Sequence, residues 1–204
     1  HSDAGCYPTD RLVGTLVVYT DYGNDKETTY PAGGDRICNR DFADYIQTQI
    51  VEDIRQTMMP TWQKRHLWRH SLSESRNPKV PSMLIELLSH HNYYDMKFGL
   101  DPKFKFIVSR AIYKGMLRFI HQTTGTPYVV QPLPVQHMRI DYAQGDSLQI
   151  SWAERVDRLE PTATPTYYIL YSRTSRLKDG QWIQSDWDNG VLVNQTNATL
   201  PLQR

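Results

Sequence analysis

With 204 residues, 39% of them apolar and 22% charged, the chain is long enough for one large or two small domains and has a globular rather than a disordered composition. Its formal net charge of +1 provides no whole-molecule field for nucleic acid or an anionic membrane, and no apolar run is long enough to span a bilayer. The N-terminus lacks the charged-then-apolar order of a signal peptide.

Residues 14–20, GTLVVYT, are β-branched and aromatic and read as a strand. Residues 21–40 are rich in Gly, Asp, Asn and Thr and read as a loop. From Asp41, a plausible N-cap, the period becomes helical: Phe42, Ile46, Ile50, Ile54 and Met58 recur every four residues with Ala43 and Val51 beside them, and Pro60 follows the end. This stripe is a core face. Residues 61–79 are a basic connection, read either as a polar wall at Lys64–His70 for glycan or peptide carboxylates or as a solvated loop in which Trp62 and Trp68 cover core. A strand is expected around Ile85. A second helix spans 102–121, with Pro102 near its start and Ile107, Val108, Ala111, Ile112, Gly115 and Phe119 on its apolar side. Strand, helix, strand, helix is the rhythm of an α/β sheet.

After Gly125 the proline-rich run TTGTPYVVQPLPV reads as a stiff linker, and beyond it the period drops to two. SLQISW puts Leu148, Ile150 and Trp152 on one face; YYILYS and GVLVNQTNATLPL supply further short strands, about five in all. A β-sandwich is expected here, with Trp152 in its core and a domain boundary near residue 130. A sandwich of this kind needs about seven strands, so this domain reads as incomplete.

The run PSMLIELLSHHN, residues 81–92, places Glu86 inside an apolar strand pattern. A buried carboxylate needs a partner, a job, or a place where the strand meets solvent. As a structural group it would pair with Arg65 or Arg76. As a catalytic group it would draw on its apolar setting, which raises a carboxyl pKa toward neutrality. His90 and His91 are adjacent and are expected to point apart, which argues against both binding one metal. Cys6 and Cys38 permit one disulfide in an oxidising compartment but do not demand it, and neither has a close second ligand for a zinc knuckle.

Five segments resemble, in order, the C-terminal half of the zinc-dependent N-acetylmuramoyl-L-alanine amidases of type 3. HSDAG is similar to the family's S-x-H-x-N/D-A motif. GTLVVYT is similar to the strand after it, FADYIQTQIVEDI to a helix, LSESRNPKVPSMLIELLSHHNYYD to the stretch ending P-x-x-L-V-E-x-G-F-x-S-N, and DPKFKFIVSRAIYKGMLRFI to the closing helix. The resemblance implies an α/β amidase-like domain over residues 1–125, a mixed sheet with helices on both faces. It also implies His1 as a zinc ligand and Glu86 as general base, then general acid. Arg65, His90 and Asn92 are implied as substrate contacts, and peptidoglycan as partner. The other zinc ligands are expected upstream of His1. Leu87-Leu88 or Leu88-Ser89 stands where the family has Gly-Phe.

Residues 132–204, after a linker at 126–131, resemble part of a fibronectin type III module, a likeness informative about fold and nearly silent about activity. The combination is similar to bacterial envelope proteins labelled xanthan lyase, a label from which no lyase chemistry is taken. The expectation is therefore a cell-wall amidase located in the periplasm or secreted. Its rivals are a related zinc hydrolase acting on another amide or an exopolysaccharide, and a non-catalytic glycan-binding scaffold.

Overall fold

The structure is a computed structural model that describes residues 1–4, 11–143 and 145–201. It divides into two compact units, His1–Tyr128 and Val129–Arg204.

The first unit is built on a three-stranded mixed sheet in the order β2-β1-β3. Strand β1, Thr15–Tyr19, is buried along its whole length, as a continuous apolar run in a central strand should be. Strand β2, Lys64–Arg69, runs parallel to it, with Val17 opposite Leu67 and Val18 opposite Trp68. Strand β3, Leu84–Glu86, runs antiparallel, with Leu16 opposite Glu86 and Val18 opposite Leu84. The basic segment read as a connection thus contains the parallel partner of β1. Its strand character is masked because β2 is an edge, largely exposed, and only alternate residues face the core. The register shifts near Thr15, where the buried Gln47 amide donates to the carbonyls of both Thr15 (2.9 Å) and Arg65 (2.8 Å).

Helix α1, Cys38–Thr57, buries the predicted stripe: Phe42, Ala43, Ile46, Ile50, Val51 and Ile54 are all in the core. It starts three residues before the expected Asp41 cap. Ile37 occupies the cap position, the preceding turn is held by the Asp35 carboxylate accepting from Ile37 N (2.9 Å), and Asp41 lies in the first turn, where its charge favours the helix dipole. Ala43 meets Val17 and Tyr19, so α1 covers that face of the sheet. On the opposite face Leu16, Val18 and Leu84 meet Leu72, at the entry to the short helix α2, Ser73–Arg76.

Helix α3, Tyr93–Gly99, leads into helix α4, Pro102–Thr124. Asp101 caps α4 by accepting from Lys103 N (2.8 Å), Pro102 fills the first turn, and Gly125 ends it at φ 72°. α4 packs along α1 at Gly115, where an added Cβ would lie 3.0 Å from Ile46 Cα. Trp62 is wholly buried between Phe98 and Phe104, as expected, whereas Trp68 is 43% exposed and stacks on His70 instead of covering core.

The second unit is antiparallel throughout. Strands β4 (Gln136–Ala143), β5 (Ser147–Ala153) and β10 (Asn197–Pro201) form a sheet in the order β10-β5-β4. Strands β6 (Tyr168–Leu170) and β9 (Val191–Val193) pair, as do β7 (Ser175–Lys178) and β8 (Gln181–Gln184). Seven strands are present among the described residues, two more than the roughly five expected, because β7 and β8 carry too little apolar alternation to show in the sequence. Trp152 is buried and meets the Tyr168 ring edge-on at 5.1 Å.

Candidate functional site

Glu86 is the last residue of β3 and the cross-strand partner of Leu16, so its side chain shares the sheet face of Leu16, Val18 and Leu84. It is half-buried, and its Oε2 is shielded from solvent with no hydrogen-bond partner. Burial pushes its carboxyl pKa up, and the nearby Asp3 carboxylate pushes the same way. The His1 α-amino group, Arg65 and His90 pull it back in part. Neither arginine considered as an ion-pair partner takes that role. Arg65 donates to Asp3 Oδ2 at 2.8 Å, and Arg76 donates to Asn24 Oδ1 (2.8 Å) and Ser71 Oγ (2.7 Å). A carboxylate with a raised proton affinity and an uncommitted oxygen is equipped to exchange a proton with a bound reactant.

The first residues of the chain run alongside the segment that follows Glu86. Leu87 N donates to His1 O (3.3 Å), Asp3 N to Leu88 O (2.8 Å), and His90 N to Asp3 O (3.1 Å), a short parallel pairing centred on Asp3 and Ser89. The Ser2 hydroxyl adds a bond to Leu88 O (3.2 Å). His1 itself is exposed, with its main chain across from the residue after Glu86. The main chain of His1, from the first of the five motif segments, therefore lies beside the residue after Glu86, from the fourth. The Asp3–Arg65 ion pair, each side chain 19% exposed, closes the side toward β2.

The other predicted contacts fare differently. Arg65 lines this place, with its guanidinium turned to Asp3. His90 is exposed, with Nδ1 3.4 Å from Ser2 O. Its ring does not point away from that of His91: the centroids are 4.2 Å apart, because the two residues sit in a turn and not on an extended strand. Asn92 is wholly buried. Its side-chain oxygen caps α3 by accepting from Asp95 N (3.0 Å), and its amide donates to Arg11 O (2.7 Å), which makes it a building element instead of a substrate contact. Cys6, and with it a Cys6–Cys38 bridge, lies outside the described residues.

Sequence reasoning missed three supports. Thr15 Oγ1 donates to Leu87 O (3.2 Å) and accepts from the buried Trp62 indole (2.9 Å), tying the residue after Glu86 to the core. Asp3 was read only as part of a motif, without its ion pair. Asp95 is the third: an N-cap asparagine three residues ahead was its only trace in the sequence.

A catalytic zinc requires three protein ligands and an open position. Among the described residues, no group of three or more His, Cys, Asp or Glu side chains could hold a metal. His1 offers one ligand and Glu86 a carboxylate, so these residues do not by themselves make a zinc site. What the described residues do supply here is the half-buried Glu86 carboxyl with its raised pKa.

No protein-family profile and no curated protein matches the chain. Among solved structures it is similar to an N-acetylmuramoyl-L-alanine amidase from Clostridium difficile 630 (15% identity, TM-score 0.47, 60% of this chain and 56% of that one). It is also similar to the N-acetylmuramoyl-L-alanine amidase AmiC2 of Nostoc punctiforme (18%, 0.44, 59% and 55%). A third is the N-acetylmuramyl-L-alanine amidase Ami1 from Mycobacterium smegmatis (20%, 0.45, 60% and 52%). The chain spans little more than half the length of each of these. A likeness of this degree assigns no role to any residue.

Proposed function

We propose that the intact protein hydrolyses the amide between N-acetylmuramic acid and L-alanine in peptidoglycan, and that Glu86 moves the protons. The observation that carries this reading is the half-buried Glu86 carboxylate, raised in proton affinity and with a free oxygen, beside the main chain of His1. Glu86 takes the proton from the attacking water as general base and returns it to the leaving amine as general acid. Zinc dependence enters this reading through the resemblance of His1-Ser2-Asp3-Ala4 to the family's ligand motif, and it requires ligands beyond those that the described residues bring together. Were a zinc ion held with His1 as one ligand, it would supply Lewis-acid polarisation of the scissile carbonyl and a more acidic water for Glu86 to deprotonate. Residues 132–204 are assigned to a fibronectin type III-like module, and the protein to the bacterial envelope; among the described residues no helix is long and apolar enough to cross a membrane.

The test is release of stem peptide from purified muropeptides by the full-length protein, followed by chromatography and mass spectrometry. Glu86→Gln keeps the shape of the side chain and loses its proton chemistry. The expected loss is about 10²- to 10⁴-fold in kcat. An equally active Glu86→Gln protein would remove Glu86 from the mechanism. Turnover only of another amide or of an exopolysaccharide would keep the chemistry and change the substrate. Glycan binding without any turnover would leave a scaffold.

A further inference from the structure

We propose that Asp95 is a positioning residue of this site, a buried carboxylate that sets where the chain after Glu86 lies; this rests on the reading of Glu86 as the proton-handling group. Asp95 is at 0% exposure in the first turn of α3. One oxygen accepts from Ser89 N (2.8 Å) and the other from Val13 N (2.9 Å). The two amides belong to segments 76 residues apart, the run that follows Glu86 and the run that enters β1 (89 − 13). A single side chain therefore stitches the exit of β3 to the entry of β1.

The stitched segment is also the one on which the His1 main chain rests. Ser89 pairs with Asp3, Leu88 O takes Asp3 N, and Leu87 N bonds His1 O. Moving Ser89 moves the bed on which both His1 and Glu86 are placed. α3 is itself fixed at the same end, where Asn92 caps it and holds Arg11 O, two residues before Val13. The arrangement is a second layer behind the reacting group, the kind whose loss misplaces a side chain without deleting it. Misplacement of about 1 Å costs as much as about 10²-fold in rate.

Asp95→Asn is the informative variant. It is isosteric and keeps one acceptor, but it turns an NH₂ toward the second backbone N–H. In the full-length protein, kcat on muropeptides is expected to fall about 10- to 100-fold with KM within about twofold, because the substrate surface is untouched. A folded Asp95→Asn protein with unchanged kcat, alongside an inactive Glu86→Gln, overturns the proposal and leaves the reading of Glu86 standing. If Glu86→Gln is itself fully active, it is that reading that fails. Hydrogen exchange on the unmutated protein gives a check that needs no variant. The Ser89 and Val13 amides are expected to exchange at least about 10²-fold slower than the amides of the exposed residues Lys79 and Val80. Exchange at the exposed rate for either one removes the clamp, and the proposal with it.

Discussion

Glu86, half-buried at the end of β3, carries a cost to the fold at neutral pH. Its folded-state pKa is raised, chiefly by burial and then by Asp3. A raised pKa means that the native state holds this proton more tightly than the unfolded chain does. The associated stability is fully present below the ordinary glutamate range and is lost as pH rises through the folded value. Neutral Glu86→Gln is therefore expected to be more stable than the parent at pH 8, with the gap closing toward pH 4, as read from urea midpoints. The same charges set the acid limb of kcat/KM. Asp3→Asn removes the like charge and is expected to move that limb to lower pH, and Arg65→Gln to move it higher. A limb that stays in place in both variants would show that neither charge reaches the essential carboxylate.

At the scale of elements, the pair α1–α4 is held by two features that periodicity hides. Lys114 and Asp53 are buried to 1% and 3% exposure and pair at 2.8 Å, with the Gln49 amide also donating to Asp53 (2.9 Å). Lys114→Met leaves Asp53 without its cation and is expected to cost about 3–5 kcal/mol in chemical denaturation, most of it recovered when Asp53→Leu is added. Gly115, one residue on, lets the two backbones approach. Gly115→Ala is expected to cost about 1–3 kcal/mol despite the better helix propensity of alanine. Apolar spacing made both long helices legible, since Phe42, Ile46, Ile50 and Ile54 announce a period directly. It was blind to Lys114, whose charge argues for solvent until a partner from another helix is known. β2 was lost for a related reason: an edge strand rich in Lys, Arg and His looks like a loop when its partner is 50 residues away in the sequence, as Val18 and Trp68 are not adjacent until β1 is in place.

At the scale of the molecule, the two units bury their apolar residues to different degrees. The first encloses Ile46, Ile50, Trp62 and Phe104 completely. In the second, Ile140 and Tyr142 share a sheet face with Ile150 and Leu148, yet Tyr142 is 85% exposed. The change of period near residue 130 made the shift from α/β to antiparallel texture visible in the sequence, because alternation is a local property. The site was legible only in part: Glu86 stood out as a charge in an apolar run, and His1 through a motif. The contacts that bring them together join residues too distant for any window to connect.

That distance has a kinetic consequence. The pairing of the first residues with the segment after Glu86 joins Ser2 to Leu88, 86 positions away, so it closes all of the first unit that precedes α3. Such closures are disfavoured early and are rewarded only after the sheet and α1 have formed. The site is thus expected to assemble late in this unit and to open early. Asp3→Ala, which removes the ion pair to Arg65, is expected to leave the folding arm of a chevron unchanged while raising the unfolding rate about tenfold. A slowed folding arm would place the pairing in the nucleus instead.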